Sequence, residues 1–455
     1  MRFFKSGSVV RRLRLTALMM TIVGSPAAAD VDLSQLSVTP NPRLGLSFPG
    51  SDTQYYPYLA EAGLGVVRVS ASWERLEPKR GRFDFSGLDR RVIALQNLGI
   101  QPFVTFESNA KWATIAKTQK VKNATPKDPA TWQNFVTRIV ERYDGDGKDD
   151  APGLRSGVRY WQAANEWISD SNRSGGWVGD TAGLIKYVTL TRDAVKAADP
   201  KATFVMGGVA AFNADILLVA RDNRELNVQQ SWSKSSKTVL SVAEMRGPQI
   251  GAIIDQRVLP VLRGAPFDIA SVHLYGPESR DMARLAHMKR MTGKPVLSSE
   301  CGGPTLDYGG KYSPEAHFRA VIERNLNGFA ADAKFCLWFR LGESGGTTFG
   351  NQRTGLYDKN KKPKPGVFAY RALSQLIDSK AKVSFERPGS YTLRRGAGQT
   401  ITVTWGIESK REKTNPEMLC LADPKKGLLS DDPKKCEPEA ITFSGAGLLS
   451  LFAES

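Results

Sequence analysis

The sequence predicts an α/β fold, a (β/α)8 barrel of the TIM type followed by a small β-sandwich-like domain. Between residues 44 and 378, short apolar runs alternate with longer amphipathic ones, as in parallel strands joined by helices. Eight such units in one stretch favour a closed barrel over an open, doubly wound sheet. After about residue 380, short β-like runs follow one another without helices between them.

Residues 1–29 have the pattern of a secretory signal peptide. Five basic residues precede the apolar run 15–23, and three alanines precede Asp30. Two adjacent arginines would also suit a twin-arginine signal, although the residues after them fit that pattern poorly. The apolar run has about ten residues, roughly half of what a membrane-spanning helix needs. We therefore expect an exported protein, periplasmic or secreted, without a transmembrane segment.

The predicted barrel occupies residues 30–379. Its eight strands are expected at 44–48, 65–69, 101–106, 158–164, 203–208, 267–274, 295–299 and 334–339. Helical patterns lie between them, for example at 87–98, 131–143, 182–198 and 313–327. Residues 210–262, between the fifth and sixth strands, are too many for a single crossover, so we expect an extra helix or loop beside the site. No Gly-x-Gly-x-x-Gly turn follows the first strand, and we predict no cofactor.

Residues 380–455 are predicted to form the small β domain. Its β-like runs lie at 382–385, 391–394, 400–405, 440–443 and 448–452. The chain has four cysteines, which allow three pairings in an exported protein. We predict a disulfide between Cys420 and Cys436, because it would close a short polar loop and stabilise it by roughly 3 kcal/mol. Cys301 and Cys336 are expected to be buried thiols.

The chain is basic, with a formal net charge of +17, and five of its positive charges lie in the predicted signal peptide. Such a charge would attract anionic polymers, including acidic polysaccharides, and it would serve equally well as a solubilising surface charge. Lysine and arginine are dispersed along the chain, so we predict no nucleic-acid partner.

The sequence does not predict a metal site. The chain has three histidines, and no His/Cys spacing suggests a metal centre. Residues 144–150 place alternate carboxylates in a glycine-rich turn, which is similar to part of a calcium-binding loop. Because Lys148 occupies a ligand position and no bidentate glutamate follows at the expected distance, we favour a solvated polar loop.

Two glutamates fall at predicted strand ends, where barrel enzymes carry their active sites. Glu166 ends the fourth strand and Glu300 ends the seventh, so their carboxylates should face each other across the barrel mouth. Cleavage of a glycosidic bond needs such a pair, because one carboxyl group protonates the leaving oxygen while the other captures the anomeric carbon. The pattern therefore predicts a retaining glycosidase with Glu166 as acid/base and Glu300 as nucleophile.

The two carboxyl groups must also differ in pKa. We expect Arg68, on the second strand, to keep Glu300 ionised, whereas the aromatic Trp161 and Trp167 would help Glu166 to keep its proton. Taken alone, either glutamate could be an ordinary surface carboxylate.

These residues resemble the clan A glycoside hydrolases, whose fourth strand ends in Asn-Glu and whose seventh ends in a nucleophilic glutamate. Other similar segments are Ser-Trp-Glu-Arg-Leu-Glu-Pro at 72–78, Gly-Arg-Phe-Asp-Phe at 81–85, Leu-Asp at 88–89 and Val-His-Leu-Tyr at 272–275. The resemblance runs from about residue 44 to residue 338, and the appended β domain is similar to that of family 39 and its relatives. It implies an O-glycosyl hydrolase acting on a poly- or oligosaccharide outside the cytoplasm, with no metal.

The resemblance also implies substrate-binding roles. Asn165 would hydrogen-bond the sugar hydroxyl next to the anomeric carbon, Tyr275 would hold the nucleophile and His273 would line the same floor. Trp338 would stack under the sugar ring, although it could instead fill the core, just as His273 could be a satisfied core residue. The clan has proline after the acid/base, whereas this chain has Trp167, which is a further candidate for stacking on a sugar.

Two other functions fit parts of the pattern. A carbohydrate-binding protein could use the same barrel without catalysis, but the presence of both glutamates argues against it. A basic module that binds surfaces is the second alternative, and the dispersed positive charge argues against that.

Overall fold

The computed structural model describes residues 30–116, 121–173, 175–233, 235–343, 354–406 and 417–453. The predicted signal peptide, residues 1–29, lies outside the described residues and stays a prediction. Within the described chain, no helix is long and apolar enough to cross a membrane.

Eight parallel strands form the predicted barrel, and we number them in chain order as barrel strands one to eight. They are Asn41–Leu46, Leu64–Ser72, Gln101–Glu107, Tyr160–Ala163, Thr203–Met206, Ala270–Ser271, Val296–Cys301 and Ala333–Trp338. Neighbours in the chain are neighbours in the sheet, and strand eight pairs with strand one. Between strands five and six, backbone bridges join Val205 to Ile269 and Val209 to Val272. The barrel is thereby confirmed, and each strand overlaps its predicted range.

Helices surround the strands, and their sequences explain where they form. The α-helices of the described chain are Pro57–Glu61, Trp73–Leu76, Ser86–Asn97, Pro129–Tyr143, Thr181–Ala198, Ala211–Arg221, Val242–Arg246, Pro248–Ile253, Leu259–Gly264, Asp281–Thr292, Pro314–Ala330, Pro365–Leu376 and Leu448–Ala453. The helix Pro129–Tyr143 begins at a proline, after Asp128 has accepted a hydrogen bond from the backbone of Ala130. Its apolar residues recur every three or four positions, so one face is buried on the barrel.

Shorter turns complete the secondary structure. The 3-10 helices described are Thr53–Tyr55, Glu278–Arg280, Leu306–Tyr308 and Pro433–Lys435, and Ile254–Val258 is a π-helical turn. The long segment after strand five contains several helices, as predicted, and also an antiparallel hairpin that was not predicted. The hairpin strands are Val228–Ser231 and Lys237–Leu240.

The small domain is a seven-stranded antiparallel sheet, which confirms its β character. In spatial order its strands are Asp30–Asp32, Leu428–Ser430, Met418–Asp423, Thr442–Ser444, Thr400–Thr404, Ser390–Arg394 and Lys382–Arg387. The β interpretation of residues 448–452 was wrong, because Leu448–Ala453 is a helix whose leucines pack inward. The disulfide between Cys420 and Cys436 is confirmed, with Cα atoms 6.2 Å apart. Cys301 and Cys336 are buried free thiols, as predicted.

The barrel and the small domain share one hydrophobic core, which continues from the barrel helices into the sheet. Polar contacts also join them. The Arg43 guanidinium donates to the carbonyl oxygen of Ala381 at 2.5 Å. The Tyr391 hydroxyl donates to the Asn327 side chain at 2.5 Å. The site at the barrel mouth is therefore carried by a scaffold with a fixed second domain.

Candidate active site

The structure brings Glu166 and Glu300 together at the carboxyl ends of strands four and seven. A carboxylate oxygen of each glutamate and a ring nitrogen of His273 lie within 4.8 Å of one another. The glutamate side chains are 16% and 15% exposed, whereas His273 is fully buried. The two carboxylates can therefore reach one small molecule from the solvent side while the imidazole stays beneath them.

Glu300 is held in its ionised form. Arg68 donates to one carboxylate oxygen at 2.8 Å, and the Tyr275 hydroxyl donates to the other at 3.1 Å. Burial would raise the pKa of Glu300, but the neighbouring His273 and Arg68 and the two hydrogen bonds outweigh it and lower the pKa. An anionic, oriented carboxylate suits a nucleophile.

Arg68 lies inside the barrel and links several strands. Its Nε donates to Thr105 on strand three at 2.9 Å, and its Nη2 donates to the Asn165 side chain at 2.9 Å. Its Nη1 also donates to the carbonyl oxygen of Ser299 at 3.0 Å. The expected pairing of Arg68 with Glu300 is thus present, and the same guanidinium orients Asn165. Arg68 therefore positions both Glu300 and Asn165 by hydrogen bonds.

His273 bridges the two glutamates, which the sequence did not indicate. Its Nδ1 lies 2.8 Å from a Glu166 oxygen and 3.8 Å from a Glu300 oxygen. Its Nε2 lies 3.3 Å from the Ser299 hydroxyl, which contacts the Ser271 hydroxyl at 2.9 Å. The imidazole therefore contacts both carboxylates from below and lines the floor of the site.

Asn172 is a site residue that sequence reasoning missed. Its side-chain amide donates to the second carboxylate oxygen of Glu166. Asn172 lies in the loop after strand four, and its contact depends on how that loop folds back over the strand end. No motif in the sequence indicates this return. In the described chain, Glu166 is thus contacted by an imidazole and an amide, whereas Glu300 is paired with a guanidinium.

The backbone around the fourth strand end is strained. Ala164 and Glu166 have φ angles of 67° and 47°, in the left-handed region that L-residues with a side chain seldom adopt. The Glu166 amide donates to the carbonyl oxygen of Gly208 at 2.9 Å. A Cβ atom at Gly207 would come within 2.5 Å of the Ala164 backbone, so only glycine fits there. Such strain clusters at functional sites, because the fold has to hold it in place.

The two tryptophans expected to stack on a sugar lie elsewhere than that role requires. Trp167 is fully buried, and its indole N–H donates to the carbonyl oxygen of Gly207 at 3.0 Å. Trp338 is also fully buried, and its indole N–H donates to the Thr354 carbonyl oxygen at 2.7 Å. Neither ring presents a face to solvent, so packing accounts for both side chains. In this conformation, Trp167 cannot stack on a sugar ring.

Tyr275 contacts Glu300 through its hydroxyl group. Its ring is nearly parallel to that of Tyr308, with ring centroids 6.5 Å apart. Burial, followed by the charges of Glu300 and Glu166, raises the pKa of Tyr275 well above its usual value. The hydroxyl therefore stays protonated and can donate to Glu300 throughout the physiological pH range.

A buried ion-pair network lies behind the site and holds its backbone. Arg284 donates to the Tyr275 carbonyl oxygen at 2.6 Å, and Arg324 donates to the carbonyl oxygens of Gly276 and Gly302 at 2.5 and 2.9 Å. Asp215 pairs with Arg284, and Asp281 pairs with Arg324 and Arg284. Because Tyr275 follows strand six and Glu300 lies at the end of strand seven, next to these carbonyl groups, the network fixes their relative position.

Glu166, His273 and Glu300 could also offer one ligand atom each to a cation. The Arg68 guanidinium lies 2.8 Å from Glu300, and its positive charge opposes a divalent cation at that carboxylate. The residues present thus suit acid/base chemistry better than metal coordination.

The acidic turn at residues 144–150 is the second group of carboxylates. Asp144, Asp146 and Asp150 each present an oxygen within 4.8 Å of the others. The backbone amides of Gly145 and Gly147 donate to the Asp150 carboxylate at 3.1 and 2.8 Å. Burial raises the pKa of Asp144 to about 6. The preference for a solvated polar turn over a calcium site stays a prediction.

Comparisons with known proteins bear on the fold of the chain. A family model described as β-galactosidase, from glycoside hydrolase family 42, matches residues 53–144, around barrel strands two and three. A search of the curated proteins found no match.

Three solved structures are similar over most of the chain. One is a family 39 glycoside hydrolase from Bacteroides cellulosilyticus WH2, with 13% identity, a TM-score of 0.58, and coverage of 89% of this chain and 81% of that one. A family 39 β-xylosidase from Caulobacter crescentus has 14% identity, a TM-score of 0.52, and coverage of 86% and 84%. A family 30 subfamily 8 xylanase from Clostridium acetobutylicum has 10% identity, a TM-score of 0.53, and coverage of 90% and 97%.

The chain resembles the clan A glycoside hydrolases. At identities of 10–14%, the likeness to clan A structures shows the fold alone. The positions of Glu166 and Glu300 at the ends of strands four and seven are those at which the resemblance to clan A predicts catalytic carboxylates.

Proposed function

We propose that the chain is a retaining glycoside hydrolase that cleaves a poly- or oligosaccharide outside the cytoplasm. One observation carries the proposal. Glu166 and Glu300 lie at the carboxyl ends of strands four and seven, and their carboxylate oxygens are within 4.8 Å of each other. Carboxyl groups about 5–5.5 Å apart are typical of retaining glycosidases, because an inverting enzyme needs room for a water molecule between them. The anionic state favoured for Glu300 supports its assignment as the nucleophile.

In the first step, a Glu300 oxygen attacks the anomeric carbon as the glycosidic C–O bond breaks. Glu166 gives its proton to the departing oxygen, which leaves as an alcohol, and the sugar remains bound to Glu300 as an ester. In the second step, Glu166 takes a proton from water, and the water oxygen displaces Glu300 from the anomeric carbon. The two inversions return the original anomeric configuration, and both glutamates regain their starting protonation states.

Neighbouring residues prepare these steps. Arg68 and Tyr275 hold the Glu300 carboxylate by two hydrogen bonds, which fixes the attacking oxygen. His273 and Asn172 each occupy one oxygen of Glu166, so its position is also defined. Asn165, which Arg68 orients, is proposed to bind the sugar hydroxyl next to the anomeric carbon.

The test is hydrolysis of a panel of neutral and anionic bacterial glycans by the protein and by Glu300→Gln. We expect the variant to lose at least about 1000-fold in rate, because it cannot form the ester. Glu61→Gln, which changes an exposed glutamate at the end of a helix, is the matched control and should retain activity. The anomeric proton of the fresh product, followed by NMR, should show retention.

Equal activity of the protein and Glu300→Gln on every active substrate would refute the catalytic assignment. Absence of hydrolysis, with glycan binding retained in both forms, would establish the carbohydrate-binding alternative. Inversion at the anomeric carbon would mean that water attacks directly and that Glu300 is a base.

A further inference from the structure

A polar cavity lies near Glu166, at the ends of barrel strands two and three. It has a volume of about 190 Å³ and is lined by side chains from both strand ends and from the loops after strands three and four. The lining is polar except for Val121. This volume accommodates one sugar ring, and the cavity has no part in the catalytic contacts described above.

The cavity is next to the acid/base residue. Strands two, three and four are neighbours in the barrel, and Ser72 and Glu107 are paired across strands two and three. Arg173, which lines the cavity, follows Asn172, whose amide donates to Glu166. A saccharide that places one linkage at the catalytic pair can therefore place an adjacent residue in this cavity.

The charges of the lining favour an anion. Lys122 and Glu107 pair at 2.8 Å and neutralise each other. The remaining charges are the guanidinium groups of Arg75 and Arg173 and the carboxylate of Glu74. Within the described chain, neither guanidinium has an ion-pair partner, and both side chains are exposed at the rim of the cavity.

The geometry points to this cavity as a binding subsite for an acidic sugar residue, carrying a carboxylate or a sulfate, of the glycan that the enzyme cleaves. The inference rests on the proposed function in so far as the same glycan reaches the glutamates. A guanidinium matches the planar carboxylate and the sulfate oxygens through paired hydrogen bonds, and two of them here face one cavity. The net charge, +12 for residues 30–455, adds a general attraction for acidic glycans.

Binding can be measured without hydrolysis by titration calorimetry on Glu300→Gln. The acidic probes are uronate oligosaccharides from alginate and sulfated oligosaccharides from carrageenan. Their neutral forms are carboxyl-reduced alginate oligosaccharides and desulfated carrageenan oligosaccharides. We expect an acidic probe to bind about tenfold or more tightly than its neutral form, corresponding to roughly 1.4 kcal/mol, and this preference should weaken with salt. The acidic probe that binds more tightly than its neutral form shows whether carboxylate or sulfate is recognised.

Variants then locate the preference. Added to Glu300→Gln, Arg75→Ala with Arg173→Ala should remove most of the acidic-to-neutral affinity ratio. Glu74→Gln should increase the ratio, because it removes a repelling carboxylate from the same cavity. Arg224→Ala with Arg263→Ala, at two exposed arginines outside the cavity lining, makes the same change of charge and should leave the ratio unchanged.

The subsite is overturned if no acidic probe binds more tightly than its neutral form, or if the double arginine variant keeps the preference. It is also overturned if Arg224→Ala with Arg263→Ala weakens the preference as much as Arg75→Ala with Arg173→Ala does, since net charge alone would then explain it. The proposed function fails separately, by lack of hydrolysis in the protein that has Glu300, whatever the titrations show. Binding that depends on Arg75 and Arg173 without hydrolysis would support the subsite on a non-catalytic protein.

Discussion

Arg68 joins barrel strands two, three and seven by its hydrogen bonds, and, after His273, it lowers the pKa of Glu300. It contacts Glu300, Asn165 and Thr105 at distances between 2.8 and 2.9 Å. Its charge acts on a carboxyl group that burial alone would drive toward the neutral form. The activity of a glycosidase at acid pH depends on the ionisation of its nucleophile, so Arg68 should control that limb of the pH profile.

Arg68→Met should move the acid limb of kcat/KM to higher pH, because loss of the guanidinium raises the pKa of Glu300. The sign follows from the direction of the shift: activity is lost as pH falls through the pKa of Glu300, and a raised pKa places that loss at higher pH. The measurement is kcat/KM from pH 3 to pH 8. Arg68→Lys keeps the charge and should move the limb less. An acid limb unchanged in Arg68→Met would contradict the role given to Arg68.

The strained backbone at Ala164 makes a second prediction at single residues. Ala164→Gly should cost little stability, because relief of the left-handed φ, worth about 1 kcal/mol, offsets the lost burial of one methyl group. Ala163→Gly, at the adjacent residue within the strand, should lose roughly 1–2 kcal/mol, because glycine there gains only unfolded-state freedom. Urea unfolding gives both free energies. Equal losses in the two variants would mean that Ala164 stores no strain.

The sequence indicated which carboxylates meet, but it did not indicate the groups that join them. Glu166 and Glu300 were predictable because parallel strands end at the same mouth of a barrel. The contacts of His273 and Asn172 depend on a rotamer between two strands and on a loop that folds back, and neither leaves a periodic signal. Trp167 misled the prediction because a tryptophan in a loop can pack inward as readily as face a ligand.

At the scale of elements, helices Asp281–Thr292 and Pro314–Ala330 carry the ion-pair network that holds the loops of Tyr275 and Glu300. Arg324 is fully buried between Asp281 and three backbone carbonyl or carboxylate partners. Breaking a buried pair on one side leaves an unpaired charge, which usually costs several kcal/mol. The network therefore couples the helices outside the barrel to the geometry of its mouth.

Glu323, on the helix Pro314–Ala330, should make the protein less stable at alkaline than at acid pH. Burial, and then the charges of Glu278 and Asp281, raise its pKa to about 7. A raised carboxyl pKa means that stability falls as pH rises from about 4.5 to 7, because the folded state has to ionise a buried group. Glu323→Gln should therefore be more stable than the parent at pH 8, by roughly 2 kcal/mol, and similar to it at pH 4.

Thermal unfolding at several pH values checks this prediction. Glu315→Gln changes an exposed glutamate in the first turn of the same helix, so it serves as the matched control and should not reproduce the pH-dependent gain. A stability difference for Glu323→Gln that is the same at pH 4 and pH 8 would show that Glu323 is not ionised unfavourably in the fold.

Elements that signal themselves locally were predictable. The eight barrel strands are short buried apolar runs bounded by polar residues, and the main helices have the 3.6-residue period with clear caps. Met418–Asp423 and Leu428–Ser430 were missed, although both are largely apolar, because strands of six and three residues between polar segments depend on their partners as well as on their own pattern. The segment Leu448–Ala453 is an apolar run too short for its period to separate helix from strand.

At the scale of the whole molecule, the disulfide should stabilise the small sheet. Cys420 lies in a strand of that sheet, and it is bonded to Cys436, 16 positions later. Replacing both residues by serine should lower the free energy of unfolding by about 3 kcal/mol. Thermal unfolding with and without a reductant tests this. The parent should shift with reductant and the double variant should not; identical curves for the oxidised parent and the variant would contradict it.

The strand Asp30–Asp32 pairs with Leu428–Ser430, almost four hundred positions later, and the Asp30 carboxylate accepts hydrogen bonds from Ser430 and Lys435 at 2.6 and 2.7 Å. A ribosome makes the chain from its N-terminal side, so this strand emerges early and its partner late. The barrel can assemble while the strand is still unpaired, but the small sheet cannot be completed until residues 428–435 have been added. The strand Asp30–Asp32 is therefore made long before its partner, and the small sheet is among the last parts of the molecule that can be completed.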